Sequence, residues 1–270
     1  MPELPEVETT VRGLRPALEG QILQTVETRR DNLRRAFPPD LRQRLTGARV
    51  TRLGRRAKYG LVHGDRGDVL VFHLGMTGRW RIDPNALDKH DHLVLTTAGG
   101  RVLALNDPRR FGSLDLMTEA ELPLWPPLAA LGPEPLDGGL TVALLARALA
   151  GRTASIKQLL LDQRVVAGLG NIYVCEALNL ARIAPQRAGG SLSPVRLARL
   201  VAAIPQVLEA AIAAGGSSLR DYAHPDGRLG YFSKQFRVYD REGQTCPCGG
   251  QVERYAEGGR STWWCRRCQR

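Results

Sequence analysis

The chain has 270 residues, 43% of them hydrophobic, which is enough to build real cores in two domains of ordinary size. Its formal charge is +11, from 38 Lys and Arg against 27 Asp and Glu, a balance that favours a polyanionic partner whose phosphates the cations neutralise. No run of about 18 apolar residues occurs, and the first thirty residues lack a basic start followed by an apolar segment, so neither a membrane span nor a secretory leader is expected and the chain is placed in the cytoplasm.

The chain opens MPELPEVETT. Val7, Val11, Leu14 and Leu18 fall on one helical stripe, and Pro5 with the nearby glutamates suits a helix N-terminus, where φ is preset and the dipole favours negative charge. That pattern leaves Pro2 unexplained. Initiator methionine is normally removed before proline, which would leave the secondary amine of Pro2 at the terminus beside Glu3. Between Arg29 and Lys58 eleven basic residues then stand against two acids. Short β-rich runs follow, ARVTRLG, GDVLVFHL, HLVLTT and RVLALN, separated by turn residues, the texture of an antiparallel sandwich or barrel.

At LGPEPLDGG the prolines and glycines predict a hinge, and beyond it the chain turns helical. SIKQLLLDQ is expected as a short helix capped by Ser155. SPVRLARLVAAIPQVLEAAIAAGG is expected as a long one, with Pro194 at its first position and Gly215-Gly216 as its stop. Between them Gly168-x-Gly170-Asn171 leads into a helical pattern, either as an anion-binding turn or as a tight structural one. Cys175 in that helix is expected as a small buried hydrophobe. A second basic zone closes the chain, with nine Lys and Arg from Arg228 to Arg270 against four acids. Here Cys246-x-Cys248 and Cys265-x-x-Cys268 are separated by sixteen residues. In a cytosolic chain this pattern argues for one structural Zn²⁺ held by four thiolates rather than for disulfides.

MPELPEVETT, Lys58 in RRAKYG, HLGMTGRW, KHDH, NDPRRFG, DQRVVAGLGNIYVCEAL and GGRSTWWCRRCQ occur together and in order. The whole chain thereby resembles bacterial formamidopyrimidine-DNA glycosylases, which remove 8-oxoguanine and ring-opened purines from duplex DNA. It resembles them more than the related endonuclease VIII, which acts on oxidised pyrimidines and whose N-terminus reads PEGPE where this one reads PELPE. A non-catalytic zinc-containing DNA-binding protein would share the charge and the cysteines but would have no use for a terminal proline beside Glu3.

The resemblance implies an α+β multidomain chain. An N-terminal β-sandwich carrying the first helix would span 1–131, a hinge 132–140, a helix-two-turn-helix domain 141–236 and a zinc β-hairpin 237–270, with damaged double-stranded DNA in the cleft between and the protein acting as a monomer. Pro2 would be the nucleophile, Glu3 the acid/base partner and Glu6 mainly a holder of the terminal ammonium, while Lys58 would grip phosphate. Met76, Arg109 and Phe111 would fill the gap left by the flipped base, and His90, Asn171 and Arg260 would contact phosphates. Residues 217–233 would close over the extruded base as a lid. The first cysteine pair departs from the family pattern, since Cys246-Pro247-Cys248 is one residue short of the usual Cys-x-x-Cys. A proline there also removes an N–H that a longer knuckle would aim at sulfur.

Overall fold

A computed structural model describes residues 1–217 and 225–270. They form two compact units: Met1–Ala129 with Ala214–Tyr231, and Ala130–Ala213 with Phe232–Arg270.

In the first unit the expected helical stripe is real. Helix α1 (Leu4–Leu18) buries Val7, Val11, Leu14 and Leu18 and is opened by a capping box between Glu3 and Glu6. Strands β1 (Leu23–Thr28), β2 (Val50–Arg56), β3 (Tyr59–Gly64), β4 (Asp68–His73), β5 (Arg79–Ile82), β6 (Asp91–Thr97), β7 (Val102–Asn106) and β8 (Ser113–Thr118) follow, with the short helices α2 (Leu41–Leu45) and α3 (Pro126–Ala129). They make two four-stranded sheets, ordered β1-β6-β7-β5 and β2-β3-β4-β8, with every pairing antiparallel. Leu14 and Leu18 of α1 pack with Leu70, Phe72, Trp80, Leu93 and Leu105 in one core, where the Phe72 and Trp80 rings meet edge to face at 5.6 Å. The four β-rich runs expected from sequence are β2, β4, β6 and β7. The other four strands gave weaker signals for physical reasons. In β1 only two of six positions are buried, β3 carries Gly60 and Gly64, and β5 has four residues.

The second unit holds α4 (Val142–Leu149), α5 (Ile156–Leu161), α6 (Asn171–Leu180), α7 (Pro194–Ala213), β9 (Glu253–Glu257) and β10 (Arg260–Trp264). Ser155 caps α5 by accepting from the Gln158 N–H at 3.1 Å, and Thr141 caps α4 in the same way through Leu144 at 3.2 Å. Helix α6 is apolar nearly all round and its residues from Ile172 to Asn179 are all buried, as a helix central to its unit must be. Residues 132 and 133 bond to the loop that follows α5, through Gly132 N–H to the Gln163 carbonyl at 2.8 Å and Ala167 N–H to the Pro133 carbonyl at 3.1 Å. Strands β9 and β10 form an antiparallel hairpin whose apolar support is small: Cys175, Val238, Cys246, Val252, Trp263 and Cys265. Cys175 is buried in that cluster, as expected of it. The chain is therefore mixed α+β, a sandwich followed by a helical unit that ends in a cysteine-bearing hairpin. Among the described residues no helix is long and apolar enough to cross a membrane.

Candidate active site and metal centre

Pro2 and Glu3 are buried at the start of α1. The position of Glu3 is set by Glu6, whose carboxylate accepts the Glu3 N–H at 2.8 Å through one oxygen and the Ser217 N–H at 2.8 Å through the other. Sequence reasoning assigned Glu6 mainly to the terminal ammonium; both of its oxygens bond backbone amides. It thereby fixes the terminus to the root of the segment expected to act as a lid. Residues 218–224 of that segment lie outside the described residues. Of the rest, Ser217 bridges to Tyr231 and the Pro225 carbonyl accepts from Ile82 at 2.9 Å.

Two residues further along α1, Glu8 bonds Arg12 at 2.7 Å and the buried Arg55 side chain at 2.9 Å. Burial raises the Glu8 carboxyl, but its bonds to the two guanidiniums outweigh that and hold it below the ordinary value. Arg55 also donates to the Ala57 carbonyl at 2.9 Å. Helix α1 thus grips the two-residue turn between β2 and β3, in which Ala57 takes a left-handed φ of 51° and Lys58 is buried.

Beside Lys58 stands His73, which sequence reasoning did not single out. Burial, then Lys58, Arg34 and Arg35, depress it to about 4, so it is neutral at pH 7. Its Nδ1 accepts the Gly75 N–H at 3.0 Å, which puts the ring proton on Nε2. The signal lay in the sequence, since His73 is the first residue of HLGMTG, but one histidine at the end of an apolar strand is not distinguishable from a core residue.

Met76 and Phe111 are exposed at 38% and 46% and Arg109 is exposed as well, although they come from segments more than thirty residues apart. Two features bring their loops together. Gly75, at φ 61°, lies so close to the other loop that a Cβ there would meet the Phe111 carbonyl carbon at 2.4 Å, so only glycine fits. Asp107, fully buried, accepts from the Thr77 hydroxyl at 2.6 Å and from the Gly112 N–H at 2.8 Å. The guanidinium of Arg109 sits 4.7 Å from the centre of the Phe111 ring. Asp107 also reaches His90: its N–H donates to the His90 carbonyl at 3.0 Å, and its carbonyl accepts from His92 Nε2 at 3.0 Å. Asp107 lies within NDPRRFG, but sequence alone does not tell its hub role from that of a turn aspartate.

In the second unit Asn171 opens α6, behind a turn that the Gln163 amide holds through Gly168 N–H at 2.9 Å and the Leu169 carbonyl at 2.8 Å. That turn is therefore held from within by a side chain. Asn171 donates to the Ser261 carbonyl at 3.0 Å, next to the exposed Arg260. The fully buried Lys157 donates to the same carbonyl at 3.3 Å and to the Thr262 hydroxyl at 2.6 Å. Burial holds Lys157 below the ordinary lysine value, with Cys175 and Glu257 opposing the shift. A buried lysine that donates to a strand backbone was not legible in SIKQLLLDQ.

The four terminal cysteines converge. Their sulfurs all lie within 4.8 Å of one another, with Cys246 and Cys268 at 3.9 Å and Cys248 and Cys265 at 3.5 Å. A tetrahedral ion with bonds of about 2.3 Å needs sulfurs roughly 3.8 Å apart, so the cluster has the size to hold a metal ion. The short knuckle keeps one amide on sulfur, Gly250 N–H to Cys248 at 3.4 Å. Gly250 itself passes so close to Cys265 that a Cβ would lie 2.8 Å from the sulfur.

Comparison with known proteins agrees with this architecture. The family model described as the formamidopyrimidine-DNA glycosylase N-terminal domain matches residues 1–114, and that described as the formamidopyrimidine-DNA glycosylase H2TH domain matches residues 131–223. Proteins named formamidopyrimidine-DNA glycosylase from Novosphingobium aromaticivorans and Rhizorhabdus wittichii are 65% and 66% identical over 270 residues, covering 100% of each chain. The crystal structure of the corresponding Thermus thermophilus protein superposes with a TM-score of 0.90 at 43% identity, covering 99% of this chain and 98% of that one. A Lactococcus lactis variant in complex with Fapy-dG-containing DNA superposes with a TM-score of 0.92 at 34% identity over 100% of both chains. With both domain models matched in order and full-length relatives at this identity, the chain belongs to the formamidopyrimidine-DNA glycosylase family.

Proposed function

We propose that the chain removes oxidised purines from duplex DNA with Pro2 as its nucleophile and then cleaves the strand. A DNA glycosylase of base excision repair is what family membership gives, and strand cleavage by an AP lyase step is typical of that family. The relative from Lactococcus lactis was solved with Fapy-dG-containing and abasic-site DNA, and the same substrate class is proposed here.

Once Met1 is removed, Pro2 is a secondary amine. Its nitrogen attacks C1′ as the N-glycosidic bond breaks, the base leaves with a proton and the amine gives up its own. The C1′–O4′ bond then opens with O4′ protonated by Glu3, and the nitrogen lone pair forms the C1′=N⁺ bond. Because the resulting iminium carries no N–H, it cannot be neutralised by losing a proton, and it acidifies the C2′ hydrogens for β- and then δ-elimination of the flanking phosphates. An α-amino group titrates near pH 8, so part of it is free base at neutral pH. Glu3 is the acid/base group at the sugar. Lys58 grips phosphate, and His73, neutral with Nε2–H as donor, is suited to the same anion. Met76 and Phe111 fill the stack after base extrusion and Arg109 bonds the orphaned cytosine. His90, Asn171 and Arg260 hold phosphates on either side. The thiolates of Cys246, Cys248, Cys265 and Cys268 hold one Zn²⁺, which staples the hairpin bearing Arg260.

The observation that carries this reading is the buried Pro2-Glu3 terminus, fixed by Glu6, on the helix that also grips the Lys58 turn through Glu8 and Arg55. The test is borohydride trapping on duplexes bearing 8-oxoguanine, thymine glycol or no lesion. A covalent adduct on 8-oxoguanine DNA, mapped to a peptide that begins at Pro2, is expected. An adduct mapped to Lys58, or trapping on thymine glycol alone, would overturn it.

A further inference from the structure

The short knuckle leaves Cys246 followed by Pro247, which has no N–H to offer, and the neighbourhood of the cysteine cluster supplies a substitute. Asn179, on α6 and only 1% exposed, reaches the sulfurs from outside the hairpin. Its Nδ2 lies 3.8 Å from the Cys246 sulfur, 3.7 Å from the Cys268 sulfur and 3.0 Å from Gln269 Oε1. Which end of the amide faces the cluster is fixed chemically. Arg237 Nε donates to Asn179 Oδ1 at 2.9 Å, and a guanidinium can only donate, so the oxygen must face Arg237 and the NH₂ must face the cysteines. Gln269 is oriented by the same logic. Its Oε1 accepts the Cys265 N–H at 2.8 Å and its Nε2 donates to the Ile183 carbonyl at 2.9 Å. One Asn179 hydrogen is therefore taken by Gln269, and the other is left to be shared between the two sulfurs.

The support extends one layer further. Glu176, one helical turn before Asn179, accepts the N–H groups of Arg237 at 2.8 Å, Val238 at 3.0 Å and Tyr239 at 2.8 Å. This anchors the segment that carries Arg237. A neutral amide held so rigidly, with a donor aimed at sulfur, would be wasted on thiols. Against four thiolates around a dication, whose net charge is negative, it stabilises the cluster without adding a ligand.

Granted the zinc proposed above, we propose that Asn179 is its positioning residue: its amide N–H, shared between Cys246 and Cys268, takes the place of the knuckle amide that Cys246-Pro247-Cys248 lacks. Asn179→Leu keeps the branching at Cγ and removes the donor. Transfer of zinc from the folded protein to a chromogenic chelator should then be about 10- to 100-fold faster, the usual cost of losing a group that orients a metal ligand. In the cobalt-substituted protein the sulfur-to-metal charge-transfer band should move to lower energy, because a thiolate with fewer hydrogen bonds gives up its electron more readily. A glycine inserted between Pro247 and Cys248 in the Asn179→Leu protein, restoring the longer knuckle, should slow release again. If Asn179→Leu does not fold, Arg237→Met decides, since it leaves the Asn179 oxygen without its donor and the amide less firmly aimed at the sulfurs, and should accelerate release in the same direction. Release at the unmutated rate from these variants, with one zinc per chain in the unmutated protein, would overturn the role of Asn179 alone. An unmutated protein that binds neither zinc nor cobalt would overturn the zinc reading with it.

Discussion

In the first unit Met76, Arg109 and Phe111 stand in solvent on two loops tied together by one buried carboxylate, Asp107, over a sheet with a broad apolar core. In the second, Arg260 stands on a two-stranded hairpin with a handful of apolar residues beneath it, held by Lys157, Asn171, Asn179 and four cysteines. Both units present exposed groups suited to a polyanion, but they oppose the entropy of ordering them differently. A sandwich can position a loop with a single buried hydrogen-bond hub because its strands are already fixed. A hairpin of this size buries too little apolar area to hold itself and needs buried polar side chains, and on the reading proposed above a zinc ion, to supply the rest.

The largest effect should come from removing the zinc proposed above. Structural zinc sites in small modules carry apparent binding energies of roughly 10–16 kcal/mol, which appear as folding energy. Chelation is therefore expected to unfold 246–268 and abolish DNA binding while the first unit stays folded. Hydrogen exchange resolved by peptide checks this: amides of β9 and β10 should exchange freely, and those of β4 and β6 should stay protected. Protection of β9 and β10 after complete metal removal would show that the polar network holds the hairpin by itself.

Asp107→Asn tests the other side of the contrast. The amide oxygen can keep the Gly112 N–H and the NH₂ can donate to the Thr77 oxygen, but the Thr77 hydroxyl hydrogen then loses its acceptor, and a buried donor without an acceptor costs about 1–3 kcal/mol. Excision should fall by more than that loss of stability explains, because the loops of Met76 and Phe111 separate while the sheet stays intact. Equal losses in stability and in kcat/KM would mean that Asp107 supports the fold and not the loops.

Arg109→Ala should leave the fold unchanged and reduce the preference for cytosine over adenine opposite the lesion by up to about 1–3 kcal/mol. A guanidinium only donates; cytosine offers two acceptors and adenine presents an amino donor on the same edge. Excision rates opposite all four bases measure it, and equal rates in the unmutated protein would contradict the role.

The His73 prediction concerns pH. Its value falls from an ordinary 6.5 to about 4 in the folded protein, so between those values the unfolded chain binds a proton that the folded one does not. Stability should therefore fall as the pH is lowered through that window, and His73→Gln should flatten that part of the curve. Denaturant midpoints at pH 7.5 and 4.5 for both proteins would show it.

How much could be foreseen follows the same division. The α1 stripe, four strands, the Ser155 cap and the spacing of the cysteines were legible because each is a local pattern of one element. The family resemblance supplied Pro2, Glu3, Lys58 and the loop residues as expectations. What stayed hidden was long-range and polar. Asp107 looks like any turn aspartate until Thr77 and Gly112 converge on it, and Lys157 looks like a surface lysine until β10 covers it. Asn179 lies in an apolar helix far in sequence from the cysteines whose sulfurs it faces. No periodicity marks a buried polar residue whose partners come from distant segments.

The smallest effect expected is at Ala57, where the first unit strains its backbone to aim Lys58. A non-glycine residue at a left-handed φ costs about 1–2 kcal/mol, so Ala57→Gly should recover that amount. Against it stand roughly 0.5–1 kcal/mol for the greater freedom of glycine in the unfolded chain and about 0.8 kcal/mol for the lost burial of one methyl group. The terms nearly cancel, and Tm should move by no more than about 2–4 °C, the shift that 1 kcal/mol produces in a protein of 150–250 residues. Ala57→Val should behave differently, because a β-branched residue at positive φ is a true outlier, and its Tm should fall well below that of either. Borohydride trapping should change little in Ala57→Gly, since the bond from Arg55 to the residue 57 carbonyl does not involve the side chain. A large drop in Tm for the glycine variant would show that the Ala57 methyl is a core contact. The turn would then be held by packing, and the first unit would depend on its apolar core even at the residue beside Lys58.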